Sequence, residues 1–149
     1  MRNLLLLSVF LFLIGGCSSP KREPVATDSE IIDIWDNGRP KTIRLYAEVA
    51  GELEAIREIH YYSDGSKNLE GPLLNSEREG LWKSWYEDGT LWSEGNFANG
   101  KRQGQAVVYH PNGQKMIEGQ YHNNERTGMW RSWDDDGNLI NEMIMSNPE

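Results

Sequence analysis

The chain has a single cysteine, Cys17, in 149 residues, which excludes a disulfide within one molecule. Its three histidines, His60, His110 and His122, have no Cys, His or Glu at ligand spacing, so no metal site is expected. Basic runs never exceed the pairs Lys21-Arg22 and Lys101-Arg102, against a formal net charge of −8. Nucleic acid is therefore not an expected partner, because phosphate binding draws on clustered Lys and Arg. Ser84, Ser93 and Ser132 stand outside any nucleophile elbow, and no glycine-rich phosphate loop precedes a helix. Neither catalytic residues nor a cofactor are expected. The longest apolar run, Leu4–Ile14, is shorter than the roughly 20 residues that span a bilayer.

Glycine and aromatic residues are plentiful: 15 Gly, six Trp and six Tyr. They recur at fixed intervals. Asp64-Gly65, Asp88-Gly89, Asn112-Gly113 and Asp136-Gly137 follow one another at 24 residues. A second glycine comes six residues on, at Gly71, Gly95 and Gly119, and a third nine beyond that, at Gly80, Gly104 and Gly128. Tyr61, Trp85, Tyr109 and Trp133 precede the turn glycine by four, while Glu70, Glu94, Glu118 and Glu142 follow it by five. Such a period signals a repeat architecture.

An X-Gly pair between aromatic and β-branched runs is a hairpin signal, with a primed turn of positive φ expected. In the unit containing Trp82, Leu81–Tyr86 and Leu91–Phe97 are the strands, and 99–104 links to the next unit. Gly80, Gly104 and Gly128 are expected where a side chain would meet the neighbouring unit. One hairpin alone is unstable in water. Stacked side by side, tandem 24-residue hairpins predict an all-β fold, an open, curved antiparallel sheet of about eight to ten strands. Residues four and seven before the turn glycine have opposite parity and point to opposite faces. Ile31–Trp35 and Thr42–Tyr46 form a degenerate first unit (31–56) ahead of the regular units (57–145) in a repeat domain spanning 31–149. Three extra residues fall near Ala47–Ala55, accommodated as an irregular cap or as a helical turn with Val49, Leu53 and Ile56 on one face.

Residues 1–16, with Arg2, an apolar core and a small-residue exit, are expected to be a secretory signal peptide. The exit Ile14-Gly15-Gly16-Cys17 resembles the bacterial lipobox, which implies lipidation of Cys17 and a membrane anchor there. Ser18 following the cysteine resembles lipoproteins sent to the outer membrane. Residues 17–30, with two prolines and almost nothing apolar, are expected to be a disordered tether; its Ser18–Glu30 stretch reaches at most about 45 Å.

The run Gly80-Leu81-Trp82-Lys83-Ser84-Trp85-Tyr86-Glu87-Asp88-Gly89, continued by Leu91, Glu94-Gly95 and Phe97, resembles the MORN-repeat variant family of bacterial proteins. So does Gly128-Met129-Trp130-Arg131-Ser132-Trp133 with Gly137 and Leu139. The resemblance implies hairpin repeats serving as an interaction surface, antitoxin-like in some members, without characteristic catalytic residues. The middle unit departs from the pattern, since Ala106 stands where Trp is expected, and any ligand row based on Trp is interrupted there.

The periodic glutamates could act as an acid–base pair or bridge a cation. Repetition argues instead for a structural role, with Arg78, Arg102 and Arg126 as expected partners. The candidate binding residues are Trp82, Trp85, Trp92, Tyr109, Trp130 and Trp133, because rigid amphipathic rings suit protein interfaces and stack on sugars. The expected function is a lipid-anchored protein-interaction module, a scaffold or a toxin-neutralising partner. The alternative is a module binding cell-wall glycan such as peptidoglycan.

Overall fold

The computed structural model describes residues 24–146; the expected signal peptide (1–16), Cys17 and the last three residues lie outside them. Eleven strands form one open antiparallel sheet: β1 (Asp28–Ile34), β2 (Pro40–Val49), β3 (Glu52–Tyr61), β4 (Lys67–Leu74), β5 (Glu77–Arg78), β6 (Gly80–Trp85), β7 (Leu91–Ala98), β8 (Lys101–Tyr109), β9 (Lys115–His122), β10 (Glu125–Trp133) and β11 (Leu139–Met145). Each strand pairs with the next in sequence, except that β4 pairs with both the short β5 and β6. No helix occurs among the described residues.

Two kinds of turn alternate, and they are distributed differently from the sequence expectation. At the Asp-Gly and Asn-Gly sites only the glycine has positive φ, for example Gly89 at 85°. There the Tyr86 amide donates to the Thr90 carbonyl at 2.9 Å and the Gly89 amide to the Tyr86 carbonyl at 3.0 Å. This is a three-residue loop ending in a left-handed glycine, not a primed two-residue turn. The primed turns are at the opposite ends of the strands, in the expected linkers. Ala50-Gly51, Asn75-Ser76, Asn99-Gly100 and Asn123-Asn124 all have positive φ at both positions. The linker is therefore itself a tight hairpin, and the chain is one continuous meander.

Near each Asp-Gly or Asn-Gly turn the ladder slips by one residue. Ser84 pairs with Ser93 and Trp85 with Leu91, which leaves Trp92 unpaired at a β-bulge. The same slip leaves out Met116 and Ile140 in later units. These bulged residues are exposed, and repeated bulges increase the local twist.

At the N-terminal end two expectations are corrected. β1 begins at Asp28, inside the expected tether, because the Thr27 amide and the Asp28–Ile34 backbone pair with β2 although every β1 residue is exposed. The segment Ala47–Ile56 contains no helical turn. Its extra residues lengthen β2 and β3 to ten residues each, and a register shift skips Ile56, opposite Leu45 and Tyr46.

Units are stitched at the same interval. Tyr62 and Tyr86 donate their hydroxyls to the Trp85 and Tyr109 carbonyls at 2.8 and 2.9 Å. His110 Nε2 bonds the Trp133 carbonyl at 2.9 Å, in the place a tyrosine holds elsewhere.

Candidate functional site

Side-chain alternation divides the residues between two faces. On one face a single row crosses the sheet: Glu70, Lys83, Glu94, Val107, Glu118, Arg131 and Glu142, each opposite the next. The glutamates pair here with Lys67 at 2.8 Å, Lys83 at 3.3 Å, Lys115 at 2.6 Å and Arg131 at 2.6 Å. This overturns the expected pairing with Arg78, Arg102 and Arg126, which lie on the other face. The glutamates are ion-paired, but with other cations than expected.

Trp85, Tyr109 and Trp133 share the glutamate face. Lys67 Nζ lies 5.2 Å from the Trp85 ring centroid and Lys115 Nζ 6.0 Å from that of Trp133. Tyr109 donates its hydroxyl to Glu94 at 2.8 Å. Burial, then this bond and the charge of Glu94, push the Tyr109 phenol up to about 12. A phenol that holds its proton more tightly when folded adds stability below about pH 10, its unfolded value, and loses it as the pH rises through the folded one. Denaturant titrations from pH 8 to 12 should therefore show a decline above pH 10 that is smaller in Tyr109→Phe. Equal declines would show that Tyr109 does not set it.

The opposite face is built differently. Trp82 on β6 and Trp130 on β10 are 2% and 6% exposed. Each indole lies directly against a glycine of the preceding unit. A Cβ on Gly71 would be 2.3 Å from the Trp82 ring, and one on Gly119 would be 2.2 Å from that of Trp130. Each ring also has an arginine over it: the Arg78 guanidinium is 4.1 Å from the Trp82 centroid and that of Arg126 is 4.3 Å from Trp130. Phe97 meets Trp82 edge-on at 6.2 Å, and Tyr121 meets Trp130 edge-on at 5.1 Å. The close-approach glycines are thus Gly71 and Gly119. Gly80, Gly104 and Gly128 meet no atom nearer than 3.4 Å, and their positive φ of 67°, 81° and 63° accounts for them instead.

Between the two tryptophan stacks the middle unit has Ala106, and Gly95 beneath it is only partly buried. Here the face opens into a groove of about 290 Å³ walled by Trp82, Phe97, Tyr121 and Trp130, with Arg78, Arg102 and Arg126 along it. None of the three arginines makes an ion pair among the described residues. Burial lowers the Arg78 pKa; the Glu58 carboxylate opposes this, and the like charge of Arg102 adds to it.

Of the sequence-predicted binding residues, the groove thus brings Trp82 and Trp130 together as buried walls, with Trp92 also on its lining. Trp85, Tyr109 and Trp133 are on the far face under lysines or bonded to glutamate. Trp92, at its bulge, is 44% exposed and packs against Tyr86 at 6.2 Å between centroids. The three arginines and the Ala106 gap were not singled out as binding features. Their signal was an indole missing above Gly95 in a repeat that keeps the glycine and the arginine. No group of three or more His, Cys, Asp or Glu positioned for a metal ion occurs among the described residues.

Comparison with known families matches residues 78–99 and 102–123 to the MORN repeat variant. Each matched unit starts on, or runs from, the arginine of this face, Arg78 or Arg102. No curated protein matches the chain.

Proposed function

We propose that this chain is an envelope lipoprotein of the MORN-variant kind, anchored through lipid on Cys17, whose repeat sheet is a protein-interaction module. Its role is that of a scaffold or a toxin-neutralising partner on the outer membrane. The observation that carries the interaction reading is the groove at Ala106. It unites aromatic walls with three arginines that make no ion pair among the described residues, in a chain of net charge −8. Aromatic and arginine side chains are the residues that dominate protein interfaces. The anchoring reading is supported by the short apolar run and the Gly15-Gly16-Cys17 exit. Two or more acyl chains hold a protein to a bilayer where one alone binds marginally.

Two measurements test the two halves. Crosslinking of the full chain in cells, followed by mass spectrometry, should recover one stoichiometric protein partner. Recovery of wall fragments alone would transfer the function to glycan binding. Cys17→Ser should abolish labelling by radioactive palmitate, and persisting label would remove the lipid anchor from the reading.

A further inference from the structure

We infer that the groove receives an aromatic side chain from an acidic segment of the partner protein, laid over Gly95 where the flanking units place an indole of their own. The inference rests on the protein-interaction reading above and adds the chemistry of what is bound.

The repeat supplies the template. In the units on either side, three layers recur: a glycine, an indole lying against it, and an arginine over the indole. The middle unit keeps the first and third layers, Gly95 and Arg102, and lacks the second. Gly71 and Gly119 are buried under their rings, whereas Gly95 is partly open. Ala106 Cβ lies 3.4 Å from where a Gly95 Cβ would sit, so a single methyl and a bare glycine lie where the flanking units carry an indole. Arg102, without an indole of its own, is 5.2 Å from the Tyr121 centroid and 3.4 Å from its hydroxyl. A ring entering the gap would be met edge-on by neighbouring aromatics and covered by a guanidinium, both favourable geometries. The groove, at about 290 Å³, is at the lower end of ligand-pocket sizes and has room for one ring.

Charge selects the flanking residues. Arg78, Arg102 and Arg126 repeat along the face at 24 residues, without an ion-pair partner among the described residues. The charge of Arg102 acts unfavourably on Arg78, against a favourable contribution from the Glu58 carboxylate. Carboxylates on either side of the inserted ring would relieve that repulsion and pair with the guanidinium forks.

The test uses calorimetric titration of the full chain with two capped peptides, Asp-Glu-Trp-Glu-Asp and the same peptide with Ala at its centre. The Trp peptide should bind about tenfold or more tightly than the Ala peptide, as expected for a ring that acts as a hot spot, and should weaken with salt. Ala106→Trp, which fills the gap as the flanking units do, should abolish that binding while leaving the thermal midpoint equal or higher. If that variant unfolds, Arg102→Gln decides: weaker binding at an unchanged midpoint supports the groove, and unchanged binding overturns it. Equal affinity for the two peptides, no binding of either, or full binding to folded Ala106→Trp overturns the inference. So does a chitooligosaccharide that binds and is blocked by Ala106→Trp. If the cellular protein partner is still captured by Ala106→Trp, the interaction reading survives and the groove inference alone fails.

Discussion

Trp82→Ala should lower unfolding free energy by about 3–5 kcal/mol, as large aromatic-to-alanine changes in a core do. Trp82 is 2% exposed, lies against Gly71, meets Phe97 edge-on and has Arg78 over it. Its indole N–H donates to the Pro72 carbonyl at 3.0 Å, so truncation also removes a part-buried hydrogen bond. Domains of this size are stable by only about 5–15 kcal/mol, and one residue would thus remove a fifth or more of the total. The loss should also spread. In a repeat array each unit is held chiefly by its neighbours, and Trp82 on β6 joins β4 to β7. Trp92→Ala, whose ring sits at an exposed bulge, should change stability by about 0.5 kcal/mol or less. Urea unfolding with unchanged slope measures both changes. Equal costs would mean that the two tryptophans contribute alike and that Trp82 is not part of a packed row.

The contrast between these two tryptophans shows how far the fold can be read from residues. The 24-residue interval, the strand pairs and the opposite faces of Trp82 and Trp85 follow from periodicity and parity, which are properties of sequence alone. Turn type does not, because it depends on how the loop length fits the register. Asp88-Gly89 is part of a three-residue loop, and Asn99-Gly100, the same dipeptide chemistry, forms the two-residue primed turn. Nor does the partner of a repeated charge. Glu94 and Arg102 recur with equal regularity, yet the register places Lys83 opposite Glu94 and Arg102 opposite Phe97, on the other face. The groove was hidden for the same reason. Ala106 reads as an interruption along the chain, and only the packing of β8 against β7 shows that it uncovers Gly95.

Gly119→Ala should destabilise the sheet by about 1–3 kcal/mol, the cost of overpacking a filled site, and Gly95→Ala should not. The two glycines occupy equivalent positions on β9 and β7, and neither has positive φ. Backbone conformation therefore cannot distinguish them. Their neighbours do. An added Cβ at 119 would be 2.2 Å from Trp130 Cδ2, a distance no side chain tolerates, and the indole is wedged by Tyr121 and Arg126. At 95 the nearest atom is the Ala106 Cβ at 3.4 Å, close to ordinary contact. There the lower chain entropy of alanine in the unfolded state should make the substitution neutral or stabilising by about 0.4–1 kcal/mol. The double variant Gly119→Ala with Trp130→Ala should cost less than the sum of its parts, because the clash disappears with the ring. Strict additivity in that cycle, or equal costs at 95 and 119, would mean that the glycines are kept for the backbone and not for the indole lying on them.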